Sequence, residues 1–487
     1  MLSALIFLPV AGAAVIALLP RERTALPRLV AALFALATFV LSLALLAGFD
    51  PHGGYQFINS TGWLTPDLSG FRLQYKVGVD GISMLLVLLT TFLTLLSVLV
   101  SWNIELRPKE YFAWMLLLET GVLGVFAALD FVLFFLFWEV ELVPMYMLIS
   151  IWGSGRKEYS ALKFLLYTIA GSSLMLVGIL ALGFSAGTFD IVELGRMGPL
   201  TNAVIPATAI FFLILAAFAV KLPVVPFHTW LPDAHSDAPT AVSVLLAGVL
   251  LKMGGYGIIR MCVSILPDVA RQYATLLAVL AAVNVIYGAF ITLRQTDLKR
   301  LIAYSSVSHM GYVLLGIAAL GPVGLSGATL QMFTHGTITG MLFVMVGLIY
   351  DRTHTREIAH MRGLARHWPF IGVGMTVAGF ASLGLPALSG FVAELLVFLG
   401  SFDRYEVWTI LAVIGIALAA GYILWTIQRV LHGPPMAEWQ RLPDATRWWE
   451  RVPVGALTLA IVAVGVYPQA VLNLIEPSVR AVVERVG

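Results

Sequence analysis

Long apolar runs recur from one end of this 487-residue sequence to the other. A helix needs about 20 mostly apolar residues to cross a hydrocarbon core about 30 Å thick. That ruler picks out about fourteen segments: residues 2–20, 28–48, 80–102, 111–129, 131–152, 161–185, 207–231, 240–262, 272–293, 299–319, 322–350, 369–399, 406–429 and 453–475. Inside the bilayer no water satisfies backbone N–H and C=O groups, so a spanning segment is a helix or part of a closed barrel. The alternation of barrel strands is absent, which leaves an all-α polytopic membrane protein. Composition agrees. The chain is 60% hydrophobic and 11% charged, with mean hydropathy +0.93, whereas soluble domains carry roughly 25% charged residues.

Several function classes fall away. A net charge of +2 gives no polybasic surface for nucleic acid. A single cysteine, Cys262, excludes an intrachain disulfide and a cysteine-held cluster. No GxGxxG or Walker motif is present, and Gly153-Ser154-Gly155 is too short to serve as one. No metal site is expected, because no His, Cys and carboxylate set has ligand spacing. The first apolar run reads as a spanning helix rather than a signal peptide, since Arg21 and Arg23 follow it and no charge precedes it.

Loop charge sets the expected orientation. Eighteen Lys and Arg fall in odd-numbered loops and eight on the other side, with Lys163, Lys221 and Lys252 inside the membrane. The excess predicts cytoplasmic odd loops and both termini outside. Residues 49–79 read as a long external loop, and 430–452, with Trp439, Trp448 and Trp449 among charges, as an interfacial stretch. Pro223 breaks the seventh helix and Pro386 the twelfth. Broken helices five apart run in opposite directions and point to two inverted five-helix repeats, helices 4–8 and 9–13. The expected divisions are 1–110, 111–262 (first repeat), 263–430 (second repeat) and 431–487.

The ionisable groups at membrane depth carry the functional reading. A charge at mid-bilayer costs about 2.5–3.5 kcal/mol on insertion scales, so it faces protein or water and marks a path for ions or substrate. Lys221 sits at the break before Pro223, where freed carbonyls could bind its ammonium or water. Lys252 lies mid-helix among Gly248, Gly254 and Gly255. Glu139 and Glu141 share the fifth helix beside Pro144; at 100° per residue they point about 200° apart, so one of them faces the interior. His309 and His335 lie among Ser and Thr, and a histidine can pass a proton between its two nitrogens. Glu394, eight residues after Pro386, is the outside-facing acid. Lys163 reads as a snorkelling lysine. His228, Asp233 and His235 gate the cytoplasmic end of the seventh helix or merely cap it. In chain order the series is Glu139, Lys221, Lys252, His309, His335, Glu394, which suits proton hopping. No nucleophile–base pair for covalent catalysis is recognisable.

Four stretches, WEVELVPMYMLI, KLPVVPFHTWLPDAHSDAPTAVSVLLAGVLLKMGGYGIIR, QTDLKRLIAYSSVSHMGYV and FASLGLPALSGFVAELLVF, carry a family resemblance. They closely resemble the antiporter-like subunits of NADH–quinone oxidoreductase, respiratory complex I, in their M-type branch, the counterpart of mitochondrial subunit 4. The phrase HTWLPDAHSDAPT separates that branch from the L and N chains and from Mrp-type antiporters. The resemblance spans about residues 70–430. It implies a fourteen-helix fold with two inverted repeats and one proton path per subunit. The helix-5 glutamate maps to Glu139, the lysines to Lys221 and Lys252, the histidines to His309 and His335, and the exit acid to Glu394; Glu141 is an extra acid. It further implies a translocase subunit with no cofactor of its own, in a complex holding FMN, iron–sulfur clusters and quinone. The expected neighbours are chains L and N and membrane lipid, and the expected site is the bacterial inner membrane. The rival assignments are a subunit of an Mrp-type cation/proton antiporter or of a membrane-bound hydrogenase, and a scaffold whose buried charges only fix packing.

Overall fold

The computed structural model describes residues 1–20, 24–64, 73–198, 200, 203–439 and 441–487. Arg21, Arg23 and Arg72, counted in the loop-charge argument, lie outside the described residues. The chain is an all-helical bundle with one small hairpin. In order it runs α1 (Leu2–Leu18), α2 (Ala25–Ala47), β1 (Gln56–Leu64), β2 (Leu73–Val79), α3 (Gly81–Val100), α4 (Pro108–Ala127), α5 (Phe131–Trp152) and α6 (Lys157–Ala186). Next come α7 in two pieces (Ala207–Lys221 and Trp230–Asp237), α8 (Thr240–Val263), α9 (Pro267–Leu293), α10 (Leu298–Ala318) and α11 (Pro322–Thr353). Then follow α12 in two pieces (Pro369–Ser382 and Ser389–Phe402), α13 (Glu406–Leu431), α14 (Trp448–Val466) and α15 (Gln469–Val486). Among the described residues, eleven helices are long and apolar enough to cross a membrane, and the shorter apolar helices Leu2–Leu18, Ala207–Lys221, Pro369–Ser382 and Ser389–Phe402 cover the remaining expected segments.

Burial sorts the helices into layers. In α8, α10 and α11 almost every residue is buried, so they form the centre. Helices α2, α6, α13 and α14 bury well under half of their apolar windows, and their outward faces carry large apolar side chains such as Leu33, Leu166, Ile414 and Leu459. A central helix that is apolar all round and an outer helix with one apolar face turned to lipid are the two solutions a membrane bundle allows.

Two expectations are corrected. Residues 49–79 are not a plain loop: β1 and β2 pair antiparallel, with Gln56 opposite Val79 and Thr61 opposite Tyr75. Asn59 and Tyr75 each reach the Ser3 hydroxyl at 2.9 Å, and Lys76 pairs with Asp190, so the hairpin is fastened to the bundle on two sides. The Gly, Pro and Asp residues that suggested a loop hid this short pairing. The last expected span, 453–475, is likewise shifted. Helix α14 covers Trp448–Val466, and a separate amphipathic helix, α15, follows after Pro468. Its buried residues Leu472, Ile475, Val479, Val482 and Val486 recur at helical spacing, and Ser478 accepts the Gly81 N–H at 2.8 Å.

Where α15 meets α3, an ion pair is buried. Asp80 caps α3 through Ser83 and pairs with Arg260, the residue that the loop-charge count had placed outside the membrane. Burial pushes the Asp80 carboxyl upward, but the Arg260 guanidinium and the Ser83 bonds outweigh it and hold it below the usual carboxylate range. Arg260 also lies over the Tyr55 and Tyr256 rings at 5.5 and 5.2 Å, which ties the segment leading into β1 to α8.

A backbone pattern occurs twice, five helices apart. Before α5, Phe131 N–H bonds to Phe189 O and Ile191 N–H to Leu129 O, both at 2.9 Å. Before α10, Leu298 N–H bonds to Arg356 O at 3.0 Å and Ile358 N–H to Thr296 O at 2.8 Å. Asp130 and Asp297 cap the two helices in the same way. The breaks of α7 and α12 also match. Leu222, Val224 and Phe227 donate to Phe218, Ala219 and Val224; Leu383, Leu385 and Leu388 donate to Gly379, Phe380 and Leu385.

Candidate functional site

Lys221 is the last residue of the first piece of α7. Its side chain is wholly buried, and its ammonium pairs with Glu141, which is equally buried. Its partner is therefore not Glu139, the acid to which the family resemblance maps the helix-5 glutamate. Helix α5 is interrupted at Glu141, a turn between Phe131–Val140 and Leu142–Trp152, with Pro144 unable to donate to the Val140 carbonyl. As helical phase requires, only one of the two acids faces the interior, and the inward one is Glu141. Glu139 is half-buried, beside exposed Leu136 and Val140, and its Oε1 has no hydrogen-bond partner. The Lys221 ammonium also lies 5.4 Å from the Trp138 ring centre and 5.2 Å from that of Phe164. Two aromatic faces and one carboxylate are what the low-dielectric interior offers this cation.

The carbonyls freed by the break do not bind the ammonium, contrary to the expectation. The Val220 carbonyl accepts from Trp230 Nε1 at 2.9 Å, and the Pro223 carbonyl from Asn284 Nδ2 at 3.1 Å.

Lys252 is wholly buried in α8, between two π-helical stretches, Leu246–Leu250 and Ile258–Val263. Such bulges leave carbonyls without their usual partners and often mark functional sites. The ammonium donates to the Ala247 carbonyl and to His335 Nδ1, the latter at 2.7 Å. His335 and His309 face each other with ring centres 5.7 Å apart. His309 Nδ1 is 3.3 Å from Glu394 Oε1, and its Nε2 is 3.4 Å from Ser382 Oγ at the break of α12. The spatial order is thus Lys252, His335, His309, Glu394. It reverses the two histidines relative to chain order, because α11 rather than α10 carries the residue next to α8. Gly384 leaves room for the Glu394 carboxylate: with φ at +78°, a Cβ there would sit 2.8 Å from Glu394 Oε2, so the carboxylate would have to shift.

The secondary candidates sit apart from this line. Lys163 does not snorkel freely; it pairs with Asp233 at 2.8 Å, and Arg300 reaches the same carboxylate at 3.5 Å. Asp233 therefore pins the second piece of α7 to α6 and α10. His228 is buried edge-on to Tyr287, ring centres 5.0 Å apart. His235 stacks on Phe343 at 4.8 Å, and both its ring nitrogens are buried without a hydrogen-bond partner.

Two features escaped the sequence reading. Glu119, in α4, is buried with neither carboxyl oxygen hydrogen-bonded. A lone carboxylate in an apolar run is the same signal that marked Glu139, and LLLETGVLG displays it. A cavity of about 670 Å³ opens among the ends of α3, α8, α10, α11 and α14, lined by Thr240, Lys299, Asp351, Arg352, Arg356 and Glu450. Lys299, counted as a loop residue, is buried there and donates to the Ala238 carbonyl.

Comparison with known proteins places these features in context. The family described as NADH:quinone oxidoreductase/Mrp antiporter, TM, matches residues 128–419. The chain is 45% identical to NADH-quinone oxidoreductase subunit M of Rhodobacter capsulatus, over 99% of this chain and 96% of that one. It superposes on a chain of respiratory complex I from Thermus thermophilus, solved with bound NADH, at TM-score 0.90 and 29% identity, each chain covered in full (100%). A chain of the Mrp complex from a Dietzia strain shares the fold at TM-score 0.87, with 23% identity, 100% of this chain and 99% of that one covered.

Proposed function

The chain belongs to the transmembrane family of NADH:quinone oxidoreductases and Mrp antiporters, and from that premise we propose that it is the M-type antiporter-like subunit of a respiratory complex I, moving protons across the membrane. One observation carries the reading: Lys252, His335, His309 and Glu394 form a buried line of ionisable groups with contacts of 2.7 and 3.3 Å at its two ends. Such a line has no use for stability alone, since buried charges give little net stabilisation after desolvation.

The relay follows from the ring nitrogens. Lys252 donates to His335 Nδ1, so the neutral ring carries its hydrogen on Nε2, the nitrogen without a partner. A proton taken at Nδ1 leaves a proton to be released at Nε2. A separation of 5.7 Å between ring centres is spanned by one bridging water. His309 receives at Nε2, beside the Ser382 hydroxyl, and delivers from Nδ1 to Glu394. The Lys221–Glu141 pair is the switch. When it opens, the Lys221 ammonium loses its neutralising carboxylate close to α8, whose Gly254 lies against Leu222, and the unbalanced charge drives a proton off Lys252. Uptake starts at the 670 Å³ cavity, whose lining includes the buried Lys299, and His235 is the candidate carrier between Lys299 and Lys252. Glu139 stands as the second carboxylate of the switch. The free energy comes from quinone reduction elsewhere in the complex. The matched bridges and breaks support two inverted repeats, α4–α8 and α9–α13, and the loop charges support cytoplasmic odd loops with both termini outside. The flanking partners are the L and N chains, in a bacterial inner membrane.

Replacing Lys221 by Met or Glu394 by Gln should abolish NADH-driven acidification of inverted membrane vesicles while the complex still assembles. Wild-type pumping per electron in both assembled variants would overturn the proposal and leave the buried charges as packing elements. The chain should co-purify with flavin and iron–sulfur proteins; a set of small antiporter subunits in their place would favour an Mrp-type antiporter.

A further inference from the structure

The break after Lys221 leaves backbone groups without helical partners, and one side chain takes two of them. Asn284 Oδ1 accepts the Val225 N–H at 2.7 Å, and its Nδ2 donates to the Pro223 carbonyl at 3.1 Å. Asn284 is wholly buried in α9, the first helix of the second five-helix set. A carboxamide presents one acceptor and one donor at fixed spacing, which is what the break needs. Aspartate would keep the acceptor and lose the donor, and leucine would supply neither.

The contact continues beyond Asn284. The carbonyl of the next residue, Val285, accepts from Ser308 Oγ at 2.9 Å. The two helices touch there: a Cβ on Gly288 would lie 2.7 Å from Ser308 N. Ser308 is followed by His309, whose Nε2 faces Ser382 at the second break. A continuous bonded link thus runs from the first break, through Asn284, Val285 and Ser308, to His309, without passing through any group of the proton line.

We infer that Asn284 is a positioning residue, and that Asn284, Val285 and Ser308 form a strut by which movement of the break beside Lys221 is felt at His309. The strut gives the Lys221–Glu141 switch a second, mechanical route to the exit side of the path. Coupling requires an element that both sites bias, and the break is that element: its backbone bonds can be held by Asn284 or released. The inference rests on the function proposed above.

The test uses the assembled complex in native membranes, with variants Asn284→Leu, Asn284→Asp, Ser308→Ala and the double variant Asn284→Leu/Ser308→Ala. Protons moved per electron are normalised to assembled complex, and hydrogen exchange is followed at Val225 and at residues 307–310. Asn284→Leu should lower coupled pumping roughly two- to thirtyfold, with Asn284→Asp between it and wild type. Val225 should lose protection, and protection should also fall at Ser308 and His309. The double variant should pump no worse than Asn284→Leu alone, because either change severs the same link. Should Asn284→Leu fail to assemble, Asn284→Asp and its double with Ser308→Ala make the same comparison. Wild-type pumping per assembled complex, exchange changes confined to residues 222–229, or additive losses would each refute the strut. Lys221→Met separates the two ideas: if it pumps normally the proposed function fails, and if it does not while Asn284→Leu does, only the strut fails.

Discussion

The pairing of Lys221 with Glu141 makes the sharpest prediction, since the two glutamates are two residues apart and only one holds the cation. Both partners are 0% exposed, and the second Glu141 oxygen has no other hydrogen-bond partner. Removing Glu141 alone strands a buried ammonium, which costs about 3–5 kcal/mol; removing both charges together is close to neutral, because the desolvation cost goes with them. Globular chains unfold with about 2.1 cal/mol/K per residue, so a chain of 487 residues loses close to 1 °C of melting temperature per kcal/mol. Glu141→Gln should therefore lower the melting midpoint of the purified complex by about 3–5 °C. Lys221→Met alone should cost a similar amount, and the pair Glu141→Gln/Lys221→Met should recover most of it. A double-mutant cycle would assign about 3 kcal/mol or more of coupling to residues 141 and 221. The parallel cycle with Glu139→Gln should show less than about 0.5 kcal/mol, since no contact joins Glu139 to Lys221. Strong coupling at 139 and none at 141 would refute the Glu141 pairing and restore the motif match to Glu139.

Two further outcomes follow from contacts elsewhere. Gly384→Ala puts a Cβ 2.8 Å from Glu394 Oε2 and in a backbone region that costs an L residue about 1–2 kcal/mol, so it should pull Glu394 away from His309 and depress pumping per electron more than it depresses assembly; equal pumping would mean that the carboxylate position is not critical. Asp80→Asn keeps the helix cap but strands Arg260, so at pH 7 it should cost about 3–5 kcal/mol in melting experiments. Because the Asp80 carboxyl is held below its unfolded value of 3.8, the wild-type advantage is present above about pH 4 and disappears as the pH falls through the lowered folded value; a penalty that persisted in strong acid would refute the charge argument.

Much of this was legible in the sequence, for stated physical reasons. Bilayer thickness located the apolar helices, the last one with shifted ends, and Pro223 and Pro386 marked both broken helices, because a residue without an N–H cannot continue a helical ladder. The cost of charge in hydrocarbon picked out Lys221, Lys252, His309, His335 and Glu394, all of which are buried. What escaped notice depended on the third dimension. Helical phase says that one of Glu139 and Glu141 faces inward but not which, and that depends on how α5 packs against α7. The order of His335 and His309 is set by which helix lies against α8, and chain order is silent on that. Asn284 looks like any polar residue on an apolar helix until the break it serves is built beside it. Arg260 and Lys299 were counted as loop charges because each lies within a few residues of a helix end, yet tertiary packing buries both.

The two breaks share a backbone and differ in chemistry, and the difference bears on how the path is divided. Their matched hydrogen bonds align Leu222 with Leu383 and Val224 with Leu385, so Lys221 corresponds to Ser382 and Asp233 to Glu394. In the first copy the ionisable group at the break is a lysine held by Glu141, while the downstream acid, Asp233, is tied to Lys163 and Arg300. In the second copy the break carries a hydroxyl, which bonds His309, and among the described residues the downstream acid pairs with that histidine alone. An acid neutralised by two basic neighbours is poorly placed to take and release a proton, whereas an acid facing one titratable histidine is well placed. In the proposed function, the break that holds a lysine against one carboxylate serves as the switch, and the break that holds a serine against a histidine serves as a support. On the proposed path, then, one backbone motif serves the moving part in the first half and the static part in the second, and the strut through Asn284 and Ser308 joins the two.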